Sequence, residues 1–92
     1  MTRFSTRVEL HNAKSEDYEK LHSEMEKRGF DRTIKAEGVL YKMPDASYIY
    51  DGDVDANAVH DKARAAVNAT GIGGGIVVTQ SAGILVSGLK KA

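Results

Sequence analysis

Two residue types in this chain can do acid–base and anion chemistry near neutral pH. The first is histidine, at His11, His22 and His60. An imidazole can both take and give a proton at physiological pH. The second is arginine, whose guanidinium offers a rigid fork of donors to phosphate oxygens. His22 and His11 are the candidate acid–base residues. Arg3, Arg7 and Arg28 are the candidate phosphate contacts. His22 leads, because it flanks an apolar stripe at helical spacing, where burial can tune its pKa. None of the histidines forms a close pair such as H-x-x-x-H, so neither a metal site nor a bound cofactor is expected.

Three other patterns have simpler readings. Gly71-Ile72-Gly73-Gly74-Gly75 follows a predicted helix and precedes a predicted strand. A phosphate-cradling loop runs the other way, from strand into helix, so this run reads as a cap and connector. The D-G-D-V-D run from Asp51 to Asp55 resembles a calcium loop only at its start, and the position needing a bidentate Glu holds Lys62. Turn and N-cap chemistry accounts for those aspartates. Tyr41, Tyr48 and Tyr50 do not fit the base-stacking pattern of RNA-binding sheets and read as core or dimer contacts.

The elements that must position these residues follow from periodicity. Phe4, Thr6, Val8 and Leu10 alternate with Arg3, Ser5, Arg7, Glu9 and His11, which predicts a strand with one buried and one open face. Arg3 and Arg7 project from that open face, where they could hold neighbouring phosphates. Equally, they could meet Glu9 of a second copy. Tyr18, Leu21, Met25 and Arg28 recur at helical spacing, predicting a helix from Ser15 to Arg28 that Gly29 ends. A second strand is expected over Phe30–Lys35. A third runs from Val39 to Met43, is interrupted by Pro44, and resumes at Tyr48-Ile49-Tyr50. Asp53 or Asp55 can cap a second helix running to Thr70, followed by a strand over Ile76–Thr79 and a short extra one within Gly83–Leu89. The expected fold is α+β: a ferredoxin-like β-α-β-β-α-β sandwich, with an antiparallel sheet carrying both helices on one face.

With 92 residues, the whole chain is expected to form one domain. Lys plus Arg equals Asp plus Glu at 13 each, which argues against nucleic-acid binding by bulk charge and leaves room for a local basic patch. Cysteine is absent, so disulfides and thiolate metal sites are excluded and a reducing compartment fits best. The opening residues lack an apolar core of the kind a signal peptide needs, and no stretch is long and apolar enough to cross a bilayer. The expectation is a cytoplasmic protein without membrane contact. Ile76, Val77 and Val78 are apolar in succession, as are Ile84, Leu85 and Val86. A sheet with one wet face should alternate, so a homodimer is expected to cover the second face.

The runs R-V-E-L-H-N-A at Arg7–Ala13, D-Y-E-K-L-H-S-E-M-E-K-R-G-F at Asp17–Phe30, R-T-I at Arg32–Ile34 and M-P-D-A-S-Y-I-Y-D-G at Met43–Gly52, with the later V-T-Q-S-A-G, resemble a family of short bacterial proteins. Some of its members are GhoS-like antitoxins, of the type V class. The resemblance implies a small ferredoxin-like protein and an endoribonuclease that acts on the messenger of a membrane toxin. A basic position on the first helix of that family falls at His22, which exchanges a fixed cation for a titratable one.

Three functions stay open on these residues. An antitoxin-like endoribonuclease would use His22 or His11 as base and acid, with Arg3, Arg7 or Arg28 at the phosphate. A non-catalytic RNA-binding regulator would grip single-stranded RNA with its arginines and tyrosines. A homodimeric interaction protein would need neither. The resemblance favours the first and the zero net charge favours the third.

Overall fold

The computed structural model describes residues 2–83 and 87–92. In chain order the elements are β1 (Thr2–Leu10), α1 (Ser15–Lys27), β2 (Thr33–Ala36), β3 (Val39–Lys42), β4 (Ser47–Gly52), α2 (Ala56–Ala69) and β5 (Gly74–Ser81). This is a small α+β fold with two helices and antiparallel sheets. β1 is central in a three-stranded sheet of order β4-β1-β5, with Phe4 opposite Tyr50 on one side and Gln80 on the other. β2 and β3 form a separate hairpin, which touches β4 through a bridge between Asp31 and Ile49.

The alternation in β1 sorts its side chains as the sequence predicts. Phe4, Thr6, Val8 and Leu10 are buried, while Arg7 and Glu9 on the other face are exposed. Leu21 and Met25 of α1, together with Val59, Ala63, Ala66 and Val67 of α2, join Phe4, Val8, Leu10, Phe30 and Tyr48 in one core. The alanines keep α2 slim, so it can lie close to the sheet and to α1.

Both helices stop at a glycine. At the end of α1, Phe30 N–H donates to the Met25 carbonyl and Gly29 N–H to that of Glu26, with Gly29 at φ +91°. This left-handed residue satisfies carbonyls that the helix leaves open and turns the chain so that Phe30 re-enters the core. The starts differ. Asp55 caps α2 by accepting from Ala58 N–H at 2.9 Å, whereas α1 begins at Lys14, whose own N–H donates to Asp17 at 2.8 Å.

The element order departs from β-α-β-β-α-β at one place. The expected third strand, Val39–Met43 resuming at Tyr48, is two strands in two sheets. Pro44 has no N–H to extend a ladder, and the turn from Pro44 to Ser47 is closed by Ser47 N–H donating to the Pro44 carbonyl. β3 therefore pairs with β2, and β4 pairs with β1. The expected second strand also starts later, at Thr33. The extra strand expected within Gly83–Leu89 includes residues 84–86, which lie outside the described residues. Further on, Lys91 bridges Tyr41, and backbone bonds of 2.9 Å join Lys42 N–H to the Lys90 carbonyl and Ala92 N–H to that of Leu40.

Candidate functional site

β4 begins at Ser47, opposite Arg7, while β1 runs on to Leu10. Beyond Arg7 the β4 side of β1 therefore has no strand beside it among the described residues. Val8 N–H donates to the Ala46 carbonyl, and Leu10 N–H is capped by the Tyr18 hydroxyl at 3.1 Å. The gap between this stretch, the start of α1 and the turn before β4 is a cleft of about 560 Å³. β1 contributes Arg7, Val8 and Glu9, and α1 with its approach contributes Lys14, Tyr18, Glu19 and His22. Arg32, Asp45 and Ala46 complete the wall. Ala46 sits at φ +61°, a left-handed conformation that costs a residue with a Cβ about 1–2 kcal/mol. The strain falls on the wall of the cleft.

His22 is the deepest titratable group there. It is buried, and its Nδ1 lies 2.6 Å from the Tyr48 hydroxyl. Tyr48 is fully buried and packs edge-on against Phe30, with ring centres 6.3 Å apart. Its hydroxyl has no other partner among the described residues. Leaving that O–H without an acceptor would cost about 1–3 kcal/mol, so the low-energy arrangement has Tyr48 donating to Nδ1. Nε2 then carries the proton of the neutral ring. Among the described residues Nε2 has no hydrogen-bond partner, and the fully buried, unpartnered side-chain polar atom is Thr6 Oγ1, not Nε2. Nε2 therefore opens to the cleft that His22 lines. Burial lowers the His22 pKa below its ordinary value, the positive charge of Arg32 lowers it further, and Glu19, Asp45 and Glu26 oppose in part. Burial likewise pushes the Tyr48 phenol up, which keeps it protonated.

The charges around His22 are balanced but uncombined. Arg7, Lys14 and Arg32 face Glu9, Glu19 and Asp45, and none of these six makes a side-chain ion pair among the described residues. Elsewhere the arginines are engaged. Arg3 binds Asp51 through two hydrogen bonds, and Arg28 folds back on Glu24, donating to its carboxylate and its carbonyl at 2.9 Å each.

Of the residues singled out from the sequence, His22 and Arg7 line the cleft. His11 does not: it is exposed where β1 ends, with its N–H on the Gly73 carbonyl and its ring beside Gly73. Arg28 is the C-cap residue that follows α1, away from the cleft lining. Arg3 and Arg7 share a face, but a strand rise of about 3.4 Å per residue puts about 14 Å between their Cα atoms. Arg3 is also held by its own chain's Asp51. Sequence reasoning missed Lys14, Arg32 and Asp45 as site residues. Each lies in a connection, where periodicity carries no signal. Among the described residues no group of three His, Asp or Glu side chains is placed to hold a metal ion, and no helix is long and apolar enough to cross a membrane. Compared with protein-family models, with curated proteins and with solved structures, the chain gives no match.

Proposed function

We propose that the chain acts on single-stranded RNA in the manner of a GhoS-like antitoxin, holding a phosphodiester in the His22 cleft and cutting it there. One observation carries the reading: three cations that make no side-chain ion pair among the described residues, Arg7, Lys14 and Arg32, line the same cleft as a fixed imidazole. In metal-independent RNA cleavage the 2′-oxygen bonds to phosphorus while its proton passes to a base. The bond from phosphorus to the 5′-oxygen then breaks as that oxygen takes up a proton, leaving a 2′,3′-cyclic phosphate and a 5′-hydroxyl. The cations suit the charge on the phosphoryl oxygens. His22 and the carboxylates of Glu9, Glu19 and Asp45 are the groups in the cleft that can take part in proton movement. His11, Arg3 and Arg28 do not line this cleft and have no part in this reading.

The finer fold reading belongs with this function. β1 lies between β4 and β5 and is antiparallel to both, and each helix returns the chain to the sheet. These features support reading the fold as a ferredoxin-like sandwich, with the segment at Asp31 taken as the strand beside β4 and β3 as an added arm. A homodimer is the expected assembly. β5 has β1 on one side and no strand on the other among the described residues, and Val77 on it is 64% exposed. A cytoplasmic setting goes with an RNA substrate.

The experiment is a gel assay on a labelled AU-rich single strand with EDTA present. The purified protein should cut it to products ending in 2′,3′-cyclic phosphate, and Arg32→Ala should slow the cut by about 10- to 100-fold. Binding without cleavage would leave an RNA-binding regulator. Neither binding nor cleavage would reject the reading.

A further inference from the structure

The RNA chemistry just described makes no use of the Tyr48 phenol, yet this group decides what His22 can offer. Tyr48 is fully buried, its hydroxyl meets Nδ1 of His22 at 2.6 Å, and no other acceptor reaches it among the described residues. Its proton must therefore lie toward Nδ1. We propose that Tyr48 is a positioning residue that locks His22 as the Nε2–H tautomer, so the cleft receives a hydrogen-bond donor for a phosphoryl oxygen instead of a proton acceptor.

The surroundings work in the same sense. Protonating Nδ1 would force it to donate to the Tyr48 oxygen, and the phenolic proton would then have nowhere to go. The charged groups that face the imidazole are Glu19 and Glu26 on α1, Arg32 before β2, Asp45 before β4, and Arg7 and Glu9 on β1 with Lys14 at the helix start. Their charges are mixed, so no single field drives the ring to ionise. A neutral N–H donor grips an anion while keeping its own proton. The base for the 2′-hydroxyl then has to be one of the cleft carboxylates.

The lock itself stands on the Tyr48–His22 contact, while the phosphoryl acceptor rests on the RNA reading above. Two measurements keep them apart. Long-range 15N–1H correlation spectra of the protein at pH 7.5 should show His22 with the Nε2–H pattern in roughly tenfold excess or more over the other tautomer. In Tyr48→Phe, which keeps the ring that packs on Phe30, that excess should collapse and the imidazole pKa should rise, since the neutral form loses its partner. An Nδ1–H pattern in the parent, or an unchanged tautomer and titration in Tyr48→Phe, would overturn the proposal. Adding a short oligouridine should shift the His22 Nε2–H proton. If the RNA binds and that proton does not move, the donor role is overturned. If no RNA binds, the RNA reading fails, and the donor role to phosphate fails with it, while the tautomer result still decides the lock.

Discussion

Arg3 and Asp51 are direct partners across β1 and β4, and the guanidinium meets the carboxylate through Nε at 2.8 Å and an Nη at 3.0 Å. The carboxyl is held below its ordinary pKa by that hydrogen bond, and the guanidinium is raised by it. Both side chains remain about a third exposed, at 38% and 31%. Solvent therefore screens the pair, and it is worth no more than about 1 kcal/mol.

A difference between two arginines on one strand follows. Arg3→Ala should leave affinity for single-stranded RNA within about twofold, because its fork is already filled. Arg7→Ala, which empties the cleft of a free cation, should weaken binding and reduce the salt slope by about one. Fluorescence anisotropy over a salt series checks both. Equal losses for Arg3 and Arg7 would place the RNA on the open sheet face and not in the cleft.

Thr6 offers a stability test that needs no ligand. Its side chain is fully buried between Phe4 and Val8, and its hydroxyl finds no partner among the described residues. Thr6→Val keeps the branched shape that a strand favours and removes the orphan group. The protein should gain about 1 kcal/mol, which raises Tm by roughly 4–8 °C in a domain of this size. Calorimetry would refute the assignment if Tm fell.

Gly74 offers the opposite test. A Cβ there would stand 2.8 Å from the Glu9 carbonyl oxygen, which is backbone and cannot swing aside. Gly74→Ala must push β5 away from β1 where they pair, and should cost about 1–3 kcal/mol. A urea midpoint equal to the parent's would show that the strands tolerate the shift.

Acid should destabilise the protein through His22. Its folded pKa lies below the ordinary 6.5, so the unfolded chain binds the proton more tightly than the native one does. The stability that this histidine contributes is complete above about pH 6.5 and is lost as pH falls through the lower folded value. Melting curves from pH 7.5 down to 5 should show Tm falling, and His22→Gln, which cannot titrate, should flatten that part of the profile. A parent profile flat over this range would contradict the buried, neutral ring.

The helices were legible because their ends carry local chemistry. Asp55, Gly29 and Gly71 each act within a turn of their own position, so the bounds read from the sequence fall within a residue of those observed. β1 was legible for the same reason, since alternation is a local property. The split between β3 and β4 was not. Pro44 announced an interruption, but whether the chain resumes in the same sheet depends on which partner each half finds. The cleft was half legible: His22 stood out by its place beside the helix stripe, whereas Lys14, Arg32 and Asp45 meet it only after β1 has met β4. The Arg3–Asp51 pair likewise exists only in one strand register.

The central place of β1 carries a further consequence, for the order in which the molecule can assemble. Its two neighbours arrive late in the chain: Phe4 waits for Tyr50 on one side and for Gln80 on the other. As the chain leaves the ribosome, α1 and the β2–β3 hairpin can form from contacts close in sequence, but β1 has nothing to pair with until β4 emerges. Loop closure on that scale must be met before any sheet hydrogen bond repays it, which favours slow folding that waits for distant contacts. During that wait Phe4, Val8 and Leu10 stand on an unpaired, apolar strand, the kind of surface that a holding chaperone recognises and that a neighbouring nascent chain can capture.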